Sequence, residues 1–318
     1  MTTSTATPDP TAPLPISGAR YRIEADGYVA EIAGVGASLR TLSHEGRELV
    51  LGFGQDEIRP GFRGAVLAPW PNRVVDGQFV FRSQQHILAL SEPARGHALH
   101  GLAVWVEWEA EEVTPTSVTL VHAIPAQEGY PYQVRVRVTY AVGPDGLTWS
   151  VAATNEGTTT APYGTAPHPY LVAGDGLADD WTLELPAAQV QTVTPDRLIP
   201  TGIVDVATYD GGVFDFRAPR LLAQTFLDHA YTALTPGADG LVRAALRAGD
   251  GSGVGMSWST DCPWVQVHTP QAPGPDGWRR GVAVEPMTCP PGAFNSGTDV
   301  VALEPGRTHE VRWGIYAL

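Results

Sequence analysis

The feature that most constrains this chain is a period-two alternation of apolar and polar residues that recurs from Tyr21 to its last residue. "QVRVRVTYAV" (133–142) alternates Val with Arg or Thr, and "LTWSVAATN" (147–155) follows across the turn "GPDG". Successive side chains of a strand point to opposite faces, so this period buries one face of a sheet and leaves no helical stripe. "YRIEADGYVAEIAG" alternates around a tight turn at Asp26-Gly27, a hairpin signal. "SVTLVHAI" (117–124), "WTLELPAAQV" (181–190), "VGMSWST" (254–260), "WVQVHT" (264–269) and "HEVRWGIYAL" (309–318) repeat the pattern. The 35 Gly and 28 Pro punctuate these runs. Only "RLLAQTFLDHAYTAL" (220–234) has a helical look, and periodicity leaves helix and strand pair open there.

With no fixed-period repeat and no linker, the 318 residues predict a single antiparallel all-β domain packed as a sandwich over residues 19–318. The Thr-, Pro- and Ala-rich residues 1–18 read as a disordered arm, without the cationic start or apolar run of a signal peptide. No window approaches the eighteen apolar residues of a membrane helix. Cys262 and Cys289 are too few for a disulfide framework and read as reduced thiols in a cytoplasmic protein. A net charge of −14 argues against nucleic acid and anionic membranes as partners and favours a neutral small molecule. The chain contains no lysine, which excludes Schiff-base chemistry and the lysine-dependent phosphate loop.

Sheet-dominated folds place chemistry on loops or on the open face of a concave sheet. In "GVAVEP", Val282 and Val284 face one side, and Gly281, Ala283 and Glu285 the other. The carboxylate therefore shares a face with small residues that leave room for a ligand. Pro286 is expected to end the ladder, and the loop to Gly297 to wrap the edge of the site. His168 stands between Pro167 and Pro169, which fix its backbone and suit either a general acid or the cap of a tight turn.

Arg73, beside Asn72, reads as a multi-donor clamp or as a surface arginine before a hairpin. Asp228 reads as an acceptor for ligand hydroxyls or as a turn residue, and Trp70 as core. His97 and His100 have the spacing of a helical metal pair, but Gly96 and Gly101 argue against helix, so no metal is expected. Cys289 reads as part of the loop rather than as a nucleophile.

Taken in order, "PNRVVDGQFVF", "HALHGL", "HPYL", "DRLIPTG", "DFRAP", "LDHAY" and "VAVEPMTCPPGAFNSG" resemble the landmarks of the aldose 1-epimerases, the galactose mutarotase-like family. The resemblance covers nearly everything after about residue 20. Leu171 for the commoner Phe, and Gly292 where Asn is frequent, suggest a bacterial side branch. The resemblance implies a large β-sandwich with a sugar cleft on a concave sheet, and a cofactor-independent anomer interconversion of a free aldose. It implies Glu285 as general base, His168 as general acid, and Arg73, Asn72, His100 and Asp228 as holders of sugar hydroxyls. A monomer or homodimer accords with it. Two other readings stay open. One is a non-catalytic carbohydrate-binding protein of the same fold. The other is a hexose-6-phosphate epimerase, which needs arginines such as Arg63, Arg95 or Arg279 at the cleft. A glycoside hydrolase needs a second carboxylate, for which Asp228 is the only candidate.

Overall fold

The computed structural model describes residues 14–271 and 279–318. The alternating runs pair as the period-two reading predicts. Val134–Gly143 and Gly146–Asn155 form a long hairpin in register from Val134↔Asn155 to Gly143↔Gly146. The hairpin Arg20–Ala25/Tyr28–Ala33 closes at Asp26 and Gly27, both at positive φ, the primed-turn conformation that matches strand twist. Residues 16–17 turn, with Ser17 N donating to Gln55 O; residues 1–13 of the expected arm lie outside the described residues.

Two large sheets form the layers. A nine-stranded antiparallel sheet is centred on Val134–Gly143, Gly146–Asn155 and Thr308–Ala317. A six-stranded sheet runs in the order Tyr170–Leu171, Val282–Met287, Trp264–His268, Asp228–Leu234, Ala187–Val193 and Pro200–Asp205. Val136, Val138, Trp149, Trp313 and Ile315 from the first share one buried cluster with Val190, Val265, Val267, Val282 and Val284 from the second. This is a β-sandwich, with the apolar residue of each alternating pair turned inward.

Two runs fold differently from the simplest reading. "WTLELPAAQV" is two strands: Thr182–Glu184 joins the nine-stranded sheet and Ala187–Val193 the six-stranded one. Pro186 lies between them, where the chain crosses layers and a ladder donor is dispensable. "RLLAQTFLDHAYTAL" is a strand pair, Arg220–Leu221 and Asp228–Leu234, again split between the two sheets.

Pro286 does not end its strand, which pairs on through Val265↔Pro286 and Trp264↔Met287. Val284 N donates to Pro169 O at 3.3 Å and Thr288 N to Thr165 O at 3.1 Å, on the side away from the Trp264–His268 strand. Pro286, of the same parity, turns its missing N–H to that side, so the ladder with Trp264–His268 loses no donor.

The Thr165–Leu171 segment that carries His168 is fixed by its neighbours. His168 N donates to Ala65 O (3.0 Å), and Gly64 N donates to His168 O (2.8 Å). Gly64 sits at φ +68, and a Cβ there would lie 2.0 Å from Leu39 O. A side chain would combine an unfavourable backbone conformation with a backbone clash. We expect Gly64→Ala to lose at least about 1–3 kcal/mol in denaturant unfolding, whereas an unchanged midpoint would show that the segment relaxes freely.

Candidate active site

The open face of the six-stranded sheet carries a cleft of about 510 Å³. The facing pairs Gln266↔Glu285 and Asp228↔His268 place four polar side chains side by side on this face. On the same face, Trp264, Met287 and Ala230 join Ala65, Leu67, Val104 and Ala166 in a second apolar cluster. The face is thus packed at one end and polar at the other, with Glu285 between Ala283 and Met287 at the junction.

The opposite wall comes from the segments that hold Phe62, Asn72, Arg73, Glu92 and His100, and His168 enters from the 165–171 segment. The structure therefore brings together all six residues singled out in the sequence: Glu285, His168, Arg73, Asn72, His100 and Asp228.

His168 Nε2 lies 3.5 Å from Glu285 Oε1, longer than an N–H···O hydrogen bond, and both side chains are almost wholly buried. Burial pushes the His168 imidazole down to about 3, with the His268 charge acting in the same direction. Burial, with the neighbouring Asp228 carboxylate, holds the Glu285 carboxyl well above the usual carboxylate range, and Arg73 opposes that shift. His100 is held well below the ordinary imidazole value, chiefly by burial and then by His168. Burial thus favours the uncharged form of each partner, the protonated carboxyl and the neutral imidazole.

Buried polar atoms are normally hydrogen-bonded, so the exceptions are informative. Among the buried side-chain atoms without a partner, His168 Nδ1, His100 Nδ1, Gln266 Oε1, Glu285 Oε2 and Arg95 Nε belong to residues lining this cleft, and others lie elsewhere in the core. Such a cluster suits a ligand rich in hydroxyls, which both donate and accept.

The remaining groups are held in place. Arg73 makes a two-pronged bond to Glu92, Nε–Oε2 2.7 Å and Nη2–Oε1 3.0 Å. Gln266 Nε2 donates to Asp228 Oδ1 at 2.7 Å. Asn72 and His100 both sit at positive φ, and His100 N donates to Asn72 O at 2.9 Å. The His100 ring meets the Phe62 ring edge-on at 4.6 Å and the His168 ring at 5.1 Å. Tyr170 stacks on His168 at 5.3 Å.

His97 lies outside the cleft. Its Nε2 is 2.9 Å from Arg197 O, and its Nδ1 accepts from Asp76 N at 3.3 Å. The two histidines of "HALH" thus point apart. Among the described residues, no group of three His, Cys, Asp or Glu is placed to hold a metal ion. Trp70 is core, packed on Tyr130 and Phe294.

The loop after Met287 does not wrap the cleft edge as expected, and none of residues 288–297 lines the cleft. It braces the Arg73–Val75 strand instead. Gly292 N donates to Arg73 O (2.9 Å), while Asn295 Oδ1 accepts from Val75 N (2.8 Å). Cys289 is buried in that loop, its thiol pushed up to about 12 by burial.

Sequence reasoning missed Gln266, His268, Glu92, Phe62 and Tyr170. For the first two a signal existed: in "WVQVH" the polar residues at 266 and 268 alternate with buried valines, as on a wetted sheet face.

The comparisons agree with this architecture. The family model described as Aldose 1-epimerase matches residues 19–316. The chain is 35% identical over 301 residues to the "Uncharacterized protein YihR" of Escherichia coli (strain K12), covering 94% of each. It is 28% identical over 218 residues to the galactose mutarotase of Rattus norvegicus, covering 63% of this chain and 60% of that one. Among solved structures, a GalM/aldose epimerase homologue from C. elegans superposes with a TM-score of 0.81 at 22% identity, covering 94% of this chain and 99% of that one. A galactose 1-epimerase from Lactobacillus acidophilus NCFM gives 0.76 at 18% identity, with 92% of each covered. At such identities the structural likeness is one of fold. The family match runs over nearly the whole length and the same sandwich carries the cleft, so this chain belongs to the aldose 1-epimerase family.

Proposed function

We propose that this protein interconverts the α and β anomers of a free aldohexose, with Glu285 and His168 as the catalytic pair. The observation that carries the reading is this buried pair, 3.5 Å apart, at a cleft several of whose lining residues carry unpartnered polar atoms. The anomeric hydroxyl O1 and the ring oxygen O5 are bonded to the same carbon, so neighbouring catalysts can serve both.

In the reactive tautomer the single proton of the pair sits on His168. Glu285 takes the O1 proton as the C1–O5 bond breaks, and His168 delivers its proton to O5. The product is the open-chain aldehyde beside a protonated Glu285 and a neutral His168. Rotation about C1–C2 exposes the other carbonyl face. O5 then attacks C1, His168 takes back the O5 proton, and Glu285 returns a proton to O1. Proton count and bonding are restored. Arg73, Asn72, His100, Asp228 and Gln266 hold the remaining hydroxyls while C1 turns, a positioning role.

A free sugar fits better than a phosphorylated one. Of the three arginines a phosphate would call on, only Arg95 lines the cleft, and it pairs with Glu92 at 2.8 Å. Arg63 donates to Gly52 O at 2.9 Å, and Arg279 is fully buried beside Asp179.

Saturation-transfer NMR or polarimetry on fresh α-glucose and α-galactose tests the reading. We expect acceleration by the native chain and a loss of ~10²–10⁴-fold in kcat for Glu285→Gln or His168→Asn, about 3–6 kcal/mol of barrier. Wild-type rates in both variants would exclude this pair.

The pH profile is a second test. Below the depressed His168 value, about 3, the pair takes a second proton and Glu285 cannot act as base. Above the raised Glu285 value the pair loses its only proton and no acid remains. The acid limb should therefore lie far below the ordinary histidine value of ~6.5, and the alkaline limb above the ordinary carboxylate value of ~4.3. An acid limb at the ordinary histidine value would contradict a buried, neutral His168.

A further inference from the structure

We infer that Glu92 is a positioning residue that keeps Arg73 from pairing with the carboxylates of the cleft, so that Glu285 retains its strength as a base. The inference rests on the proposed role of Glu285.

Arg73 and Glu92 are both largely buried, with side chains 10% and 12% exposed. A guanidinium stays charged at any working pH, and a buried charge must find a partner. Arg73 lies within electrostatic reach of three carboxylates, Glu92, Asp228 and Glu285, and it also bears on His100. Only Glu92 takes it in a two-pronged bond, at 2.7 and 3.0 Å. That geometry is the strongest available to an arginine and a carboxylate, and it fixes the guanidinium plane.

Glu92 is itself pinned. Its backbone oxygen accepts from Arg95 N (3.1 Å), Gly96 N (2.9 Å) and His97 N (3.2 Å), and its N–H donates to His97 O (3.0 Å). Its carboxylate also takes Arg95 Nη1 at 2.8 Å. The pair leaves Arg73 Nη1 with one long contact, 3.4 Å to Asn72 Oδ1, and so with capacity for a ligand hydroxyl.

The charges around Glu285 set the sign of the effect. His168 faces it from the 165–171 segment, Tyr170 from the adjoining strand, Asp228 from the sheet, and Arg73 from the opposite wall. Without the Glu92 charge, Arg73 becomes an uncompensated cation whose remaining partners are Asp228 and Glu285. Either pairing lowers the proton affinity of the base, and loss of the Glu92 negative charge acts in the same direction.

Glu92→Gln is nearly isosteric; it removes the charge and turns one of the two acceptor oxygens facing Arg73 and Arg95 into a donor. We expect the alkaline limb of kcat for α-glucose anomerisation to move to lower pH by about one unit or more, the size of a nearby charge effect. The Glu285 carboxyl, followed by 13C NMR in the sugar-free protein, should move the same way. A change in KM or stability with both limb and carboxyl titration unmoved would mean a merely structural role and overturn the inference. If Glu92→Gln does not fold, the same titration on Glu92→Asp, which draws the charge back from Arg73, decides: an unmoved carboxyl overturns it. The carboxyl titration is readable without turnover, so a native chain that fails to accelerate anomerisation sinks the proposed function separately.

Discussion

Everything at the cleft depends on the way one backbone segment is zipped onto one strand. Tyr170↔Ala283 and Leu171↔Val282 pair directly, and Val284 N and Thr288 N reach Pro169 O and Thr165 O. His168 lies inside that seam and Glu285 on the strand beneath it. Their separation is therefore set by sheet register rather than by two flexible side chains, and a slip of one residue would turn Glu285 to the opposite face. Burial of the seam produces the opposed shifts of the two groups, because low polarity penalises whichever of them is charged. The same feature that fixes the geometry thus sets where the proton rests.

Much of this was legible in the sequence, for a definite reason. Strands announce themselves through period two, and that period separated Glu285 from Val282 and Val284: the valines pack in the core and Glu285 lines the cleft. The flanking prolines marked His168 as conformationally fixed. The ordered motifs carried the family. What stayed hidden depends on pairing between distant strands. That Gln266 faces Glu285, or that Glu92 reaches across to Arg73, follows from register and loop closure, which no local pattern encodes. Pro286 illustrates the limit. A strand proline has lost a donor, but only the neighbouring strands decide whether that donor was needed. The two histidines of "HALH" differ for a similar reason: one is spent on Arg197 O and Asp76 N, and the other sits at positive φ with its Nδ1 unpartnered at the cleft.

The charge pattern supports the division of labour. The protein is acidic overall, yet Arg73 and Arg95 stand at its cleft, joined through Glu92. A neutral ligand is indifferent to the net field and meets instead a local array of matched donors and acceptors. Recognition of hydroxyls, which the proposed function requires, draws on directional bonds more than on total charge.

The loop that follows Glu285 has a consequence beyond stability. Having passed Glu285, the chain turns back and clasps the Arg73–Val75 strand through Gly292 and Asn295. Floor and opposite wall of the cleft are therefore measured off along one continuous stretch of polypeptide, which works as a ruler. Hairpin tips such as Asp26-Gly27 can take insertions without the cleft noticing, whereas one added residue between Glu285 and Asn295 would change the width of the site. In this stretch, spacing is as much a part of the chemistry as residue identity.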